Sequence, residues 1–248
     1  MAGRWSVLHA SVAGTSHQRR GQPCQDAAFA GEEGDVLVAA CADGAGSAVR
    51  AEEGAKLACR SAVLAALSDI RGGFPLHLDR LRGWVDQARV RLSHEACVNN
   101  VPSRDYACTL LIAVVWGQGG LFAQVGDGAI VVRHNHDYHP IFWPRSGEYA
   151  NQTSFLTDAD FEDTLLLDEV AGPIDRLALF SDGLQRLALH EATRSVHVPF
   201  FAPLFDRLAA VEDAATLEVP LRKWLASDAV NQRTDDDKTL LLATRHDR

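Results

Sequence analysis

Residues 107–133 read ACTLLIAVVWGQGGLFAQVGDGAIVVR. Three apolar runs, 107–116, 121–125 and 129–133, are separated by Gly119-Gly120 and by Gly126-Asp127-Gly128. Short aliphatic runs bounded by glycine predict consecutive strands joined by hairpin turns. The runs are apolar at successive positions as well as alternate ones. A sheet made of them needs cover on both faces, by helices or by a second sheet.

Working outward, WSVLHASV (5–12) and VLVAACA (36–42) read as further strands, with the short apolar piece AAFA (27–30) between them. GTSHQRRGQPCQ (14–25) reads as a polar loop. The pattern turns helical from Ser47 to about Ile70, with Leu57, Val63, Leu64 and Leu67 on one face, and Gly72-Gly73 closes that helix. A second amphipathic helix spans Pro75 to about Val98, with Leu78, Leu81, Val85, Ala88 and Leu92 at three- and four-residue steps. Downstream, residues 140–154 form an irregular flap, DTLLLDEV (163–170) and DRLALF (175–180) are strands, and short helices follow to about Leu225. TLLLAT (239–244) is the last strand. Strands flanking a helical pair predict one α+β domain over residues 1–248. Trp84 and Trp224 fall within helical patterns and are expected in the core.

The chain has 248 residues, 47% hydrophobic and 23% charged, which excludes a disordered chain, a collagen and a coiled coil. Its net charge is −9 and it has no basic run longer than Arg19-Arg20, so no nucleic-acid partner is expected. Five cysteines, at 24, 41, 59, 97 and 108, are an odd number with no CxxC pair, against a disulfide framework or a thiolate zinc site. MAGRWSVLHASV (1–12) lacks a leader's apolar core, and no stretch reaches membrane-spanning length. A cytoplasmic protein without a membrane partner is the expectation. GxxxxGK, GxGxxG and GxSxG are absent, so nothing points to a nucleotide or to a serine hydrolase of that type. His134, His136 and His139 resemble a transition-metal cluster but are expected in an exposed turn. Cys24 is expected to be an inert filler rather than a redox-sensitive thiol.

One pattern recurs. Apolar strands end in Asp43-Gly44, Asp127-Gly128 and Asp182-Gly183, the run Asp235-Asp236-Asp237 immediately precedes a strand, and Asp26 begins one. Each alone is an ordinary turn, because Gly accepts positive φ and Asp bonds the local backbone. Together they place short carboxylates at rigid strand ends. Such oxygens are hard ligands suited to Mg²⁺ or Mn²⁺, and four of them can hold two cations roughly 3.5–4 Å apart.

Five segments carry a resemblance: GTSHQRRGQPCQDA (14–27), ADGAGSA (42–48), TLLIAVVWGQGGLFAQVGDGAIVV (109–132), LFSDGL (179–184) and DDDKTLLLA (235–243). In this order they resemble the successive motifs of the type 2C metal-dependent protein phosphatases, in a bacterial branch with Cys-Gln-Asp in its first motif. The resemblance implies a four-layer α/β/β/α sandwich, two packed antiparallel sheets flanked by helices. It implies two Mn²⁺ or Mg²⁺ per chain, with Asp43 bridging both, the Gly44 carbonyl on one, Asp182 and Asp236 as further ligands, and Asp26 bound through water. In some members the Gly-Asp motif helps hold a third, weaker cation, here at Asp127. Asp43, Asp182 and Asp236 would then carry catalysis.

The implied reaction is hydrolysis of phosphoserine and phosphothreonine in proteins. A water shared by the cations attacks phosphorus and no phosphoenzyme forms. The implied partner is a phosphorylated protein, a Ser/Thr kinase or its target. The chain departs from the family in four places. Gln25 stands where a carboxylate is common, Gly21 where the phosphate-binding arginine lies, Asp237 where Asn is usual, and Gly46-Ser47-Ala48 where some members carry a proton-donating histidine. Arg19 and Arg20 are candidates for the missing arginine, and His17 for the donor. An inactive phosphatase-like binding module and a phosphatase of a small metabolite are the alternatives.

Overall fold

Alternation within the apolar runs decides the layers. In VLVAACA, Val36, Val38, Ala40 and Ala42 pack on one side among helical side chains, while Leu37, Ala39 and Cys41 join a separate cluster of strand residues. The same division holds for Leu110, Ile112 and Val114 against Leu111, Ala113 and Val115, and for Leu240 and Leu242 against Leu241 and Ala243. Every such strand is buried on both faces, one by helices and one by a second sheet.

The computed structural model describes residues 4–144 and 153–246. In chain order the elements are β1 (Arg4–Val12), α1 (Thr15–Arg19), β2 (Ala27–Glu33), β3 (Val36–Ala42), α2 (Ala51–Arg71), α3 (Leu78–Val98), β4 (Leu110–Trp116), β5 (Gly119–Val125), β6 (Ala129–His134) and β7 (Asp137–Pro140). There follow α4 (Phe161–Thr164), β8 (Leu166–Ala171), β9 (Ile174–Phe180), α5 (Gln185–Ala188), a ribbon of β10 (Leu189–His190) and β11 (Ser195–Val196), α6 (Val198–Ala209), α7 (Glu218–Leu225), α8 (Asp228–Asn231) and β12 (Lys238–His246). One five-stranded antiparallel sheet has the order β1-β12-β9-β6-β7, and the other β2-β3-β4-β5-β8. Helices α2 and α3 cover the second sheet, and α6 and α7 the first. This is the four-layer α/β/β/α sandwich.

Trp84 is fully buried, its indole N–H donating to Asp69 Oδ2 at 3.0 Å, and Trp224 is half-buried against the α6–α7 core. The β6–β7 turn carries Asn135 and His136 at positive φ, and His134 Nδ1 bonds the Pro173 carbonyl at 3.1 Å. Among the described residues no helix is long and apolar enough to cross a membrane.

Several local expectations are corrected. Gly126-Asp127-Gly128 is not a hairpin, because β5 and β6 belong to different sheets and the chain crosses between them there. Gly119-Gly120 lies inside β5, where a side chain on Gly119 would meet the Val170 carbonyl 2.6 Å away. The polar loop 14–25 contains α1, and residues 163–164 close α4 rather than open a strand. On α2 the buried stripe is Ala55, Ala58, Cys59, Ala62, Val63 and Ala66, whereas Leu64 is 46% exposed. Small residues let the helix lie close to the sheet, so the alanines and Val63 make the centre of the face, with Leu57 and Leu67 packed at its margin and Leu64 outside it. Part of the expected flap, residues 145–152, lies outside the described residues.

Candidate active site

Strand register alone brings the acidic positions to one end of both sheets. Ala27 pairs with Ala42, so Asp26 and Asp43 are neighbours. Phe180 pairs with both Leu240 and Ala129, which puts Asp182, Asp236 and Asp127 together at the matching end of the other sheet. Asp26 links the two sheets: its Oδ2 accepts from Ser181 Oγ at 2.6 Å, and the same Ser181 Oγ accepts from Thr239 N at 3.0 Å.

Each carboxylate is mounted on fixed backbone. Asp43 N donates to Thr109 Oγ1 at 2.9 Å and Thr109 N donates to the Asp43 carbonyl at 2.8 Å. Gly44 bridges to Cys108, and a Cβ there would lie 2.7 Å from the Ala51 carbonyl oxygen. Asp127 sits between two glycines at positive φ, and its Oδ2 accepts from Thr153 Oγ1 at 2.7 Å. A Cβ on Gly183 would lie 2.0 Å from the Asp237 carbonyl oxygen, so these two acidic turns pack backbone against backbone.

The electrostatics record the crowding. Burial pushes Asp26 and Asp182 up to about 7, aided by the charges of Asp237 and Asp182 on the first and of Asp127 and Asp236 on the second. Asp43 is raised well above the ordinary carboxylate range by burial and by Asp26 and Asp182. Asp127 is raised by burial, with Asp236 adding to it. Carboxylates crowded in this way favour a proton or a cation among them. Asp26 Oδ1 and Asp182 Oδ1 are buried without a hydrogen-bond partner. Among the described residues no three of these side chains already close into a metal-ligand shell. What the fold provides is a gathered set of hard oxygen donors, two of them unsatisfied, and that chemistry fits a divalent cation.

A family model for protein phosphatase 2C matches residues 13–226. The chain belongs to the protein phosphatase 2C family. It is 41% identical over 247 residues to serine/threonine-protein phosphatase 3 of Escherichia coli (strain K12), covering 96% of this chain and 98% of that protein. Among solved structures it resembles the catalytic domain of serine threonine protein phosphatase PstP in complex with two manganese ions, with a TM-score of 0.61, 16% identity and coverage of 98% and 99%. Stp1 from Staphylococcus aureus gives a TM-score of 0.61 at 16% identity, covering 100% of this chain and 97% of that one. At such identities the likeness to the solved structures is one of fold.

One departure of this 2C-family chain becomes intelligible in three dimensions. Asp237 is buried, and its carboxylate accepts from Gly14 N at 2.7 Å, from Gln25 N at 2.6 Å and from His17 Nδ1 at 2.9 Å. Three donors around one side chain call for an acceptor-only group, which Asn is not. Asp237 thus clamps the first-motif segment, with its carboxylate oxygens already engaged by donors, while its charge still acts on Asp26. His17 is 8% exposed and committed to that clamp. Arg19 and Arg20 end α1 with exposed side chains, and neither forms an ion pair among the described residues. Cys24 is half-buried, and burial pushes its thiol far up, which fits an unreactive filler.

The wall beside Asp182 and Asp236 is formed by residues outside every acidic motif. A cavity of about 510 Å³ runs from these two residues along Gln185, Arg186 and Asn231–Thr234. Gln185 Nε2 donates to the Gly128 carbonyl at 3.1 Å, and Lys238 Nζ, fully buried, donates to Asn231 Oδ1 at 2.7 Å. No motif marks these residues. Only the approach of α5 and α8 to the acidic turns gives them a place in the site.

Proposed function

We propose that this chain is a divalent-cation-dependent phosphatase of phosphoserine and phosphothreonine in proteins, working as one domain of residues 1–248. The observation that carries the reading is the meeting of buried Asp26 with half-buried Asp43 and Asp182 from both sheets, with Asp26 Oδ1 and Asp182 Oδ1 unsatisfied. Family membership and the 41% identity to a serine/threonine-protein phosphatase support it.

In this proposal Asp43, the Gly44 carbonyl, Asp182 and Asp236 would hold two Mn²⁺ or Mg²⁺ ions, with Asp26 contributing through water, and Asp127 would help to hold a third, weaker ion. Cations so held offset the charge of the phosphate dianion and lower the pKa of an attacking water. The protein's own part is to hold the ligands still. Thr109 fixes the backbone of Asp43, and Ser181 orients Asp26. His17 enters as a positioning residue, since its Nδ1 is taken by Asp237 and only Nε2 is left for a leaving serine. Exposed Arg19 and Arg20 meet the phosphate only through a shift of the first-motif loop. The substrate is a phosphoprotein, a Ser/Thr kinase or its target, and the setting is the cytoplasm.

The test is phosphate release from p-nitrophenyl phosphate and a phosphothreonine peptide with Mn²⁺, Mg²⁺ or EDTA, alongside Asp43→Asn and Asp182→Asn. Cation-dependent turnover abolished by either substitution is the expected result. Cation binding by calorimetry without turnover on either compound would favour a binding module instead.

A further inference from the structure

The cavity beside Asp182 and Asp236 is large for the phosphate group alone. At about 510 Å³ it is in the range of pockets that enclose a whole small ligand. Its walls are held in place from outside. Gln185 is tied to the Asp127 turn through the Gly128 carbonyl, Asn231 to the start of β12 through Lys238, and Asp236 N donates to Thr234 Oγ1 at 3.2 Å. The space is therefore built into the contact between α5, α8 and the acidic turns.

In a protein of net charge −9, two arginines, Arg186 and Arg233, line one cavity. Both are exposed, and among the described residues neither is in an ion pair. The cavity also holds Asp182, Asp235 and Asp236. In the reading above, on which this inference rests, Asp182 and Asp236 are turned to the cations. Of the carboxylates lining the cavity only Asp235 is then left to balance Arg186 and Arg233, and the remaining charge favours an anion. Guanidinium groups bind carboxylate and phosphate in the same forked geometry.

We propose that this cavity is a second anion subsite, in which Arg186 and Arg233 receive a carboxylate or phosphate group of the substrate protein close to the phosphoresidue being hydrolysed. The proposal gives the enzyme a preference for phosphosites with acidic or already phosphorylated neighbours.

The experiment uses the full chain with Mn²⁺ and phosphothreonine peptides of one length. Their flanking residues are glutamate, glutamine, lysine or a second phosphothreonine, on either side, and kcat and KM are read for each. The wild type is expected to show a KM about tenfold lower for the glutamate or phosphothreonine flank than for glutamine. R186Q/R233Q should remove that ratio, and R186E/R233E should turn it toward lysine. Because the ratio is internal to each variant, a general loss of activity cancels. The glutamate and phosphothreonine arms tell which anion fits better. An unchanged ratio in R186E/R233E overturns the subsite. So does a KM raised equally on every peptide, which would put the arginines on the scissile phosphate. If the wild type hydrolyses every peptide without regard to its flank, the subsite fails and the phosphatase stands. If it hydrolyses none, both fail.

Discussion

His17 Nδ1 lies 2.9 Å from Asp237 Oδ2, and the same oxygen accepts from the Gln25 amide at 2.6 Å. A residue of α1, the start of β12 and the segment leading to Asp26 are thereby tied at one buried carboxylate.

Asp237→Asn, the residue usual in the family, should destabilise this chain. Its NH₂ group would face a backbone donor, Gly14 N or Gln25 N, and leave it unpaired. The expected loss is about 1–3 kcal/mol, read from urea denaturation. His17→Ala should slow a phosphothreonine peptide and p-nitrophenyl phosphate by the same factor, because it acts through loop position. A loss confined to the peptide would instead assign His17 the proton-donor role, since a phenolate leaves without help.

Ser181→Ala removes the one side chain that bonds Asp26 and Thr239 together across the sheets. Asp26 loses its orienting donor and Thr239 N its acceptor. Losing such support around a metal ligand costs about 10–100-fold in affinity. Calorimetric titration with Mn²⁺ should register that weakening, while the fold, checked by circular dichroism, persists.

Stability without cations should fall as pH rises. Burial lifts Asp26 and Asp182 from the ordinary 3.8 to about 7. Between those values the folded chain holds protons that the unfolded chain has released, so unfolding is increasingly favoured with rising pH. Stability from these protons is fully present below about pH 4 and is lost as pH passes 7. The Tm of EDTA-treated protein should therefore be lower at pH 8 than at pH 5.5. Mn²⁺ should raise Tm more at pH 8, where it no longer competes with protons for the carboxylates. A Tm that rises from pH 5.5 to 8 in EDTA would contradict the crowded-carboxylate picture.

Gly44→Ala should abolish turnover. The new methyl would lie 2.7 Å from the Ala51 carbonyl oxygen and 2.8 Å from its carbon, both backbone atoms of α2. Relief requires the Asp43–Gly44 turn to move away from Asp26 and Asp182. Gly46→Ala, where nothing lies within 4 Å of the added Cβ, is the matched control and should retain activity.

Much of this was legible in one dimension. The doubly apolar run 36–42 required cover on both faces, and α2–α3 and the opposite sheet supply it. Asp-Gly at successive strand ends marked Asp43, Asp127 and Asp182, because strand ends are recognisable wherever an apolar run stops. The Gly126–Gly128 segment was misread as a hairpin because a crossing between sheets and a hairpin use the same turn residues. The α2 face was legible at Leu57, Val63 and Leu67 but not at its alanines, because burial of alanine depends on how closely the helix approaches the sheet.

The sequence by itself determined where the apolar strands run and that five carboxylate positions sit at strand ends, since these follow from local periodicity and the backbone needs of Gly and Asp. Only the tertiary structure decided that those ends meet. It also decided that Asp237 accepts from three donors while its neighbour Asp236 stands at the acidic end, and that Arg186 and Arg233, 47 positions apart by residue number, share one cavity. Such pairings are set by strand register and by the approach of α5 and α8, which are sums of long-range packing. No residue type announces them.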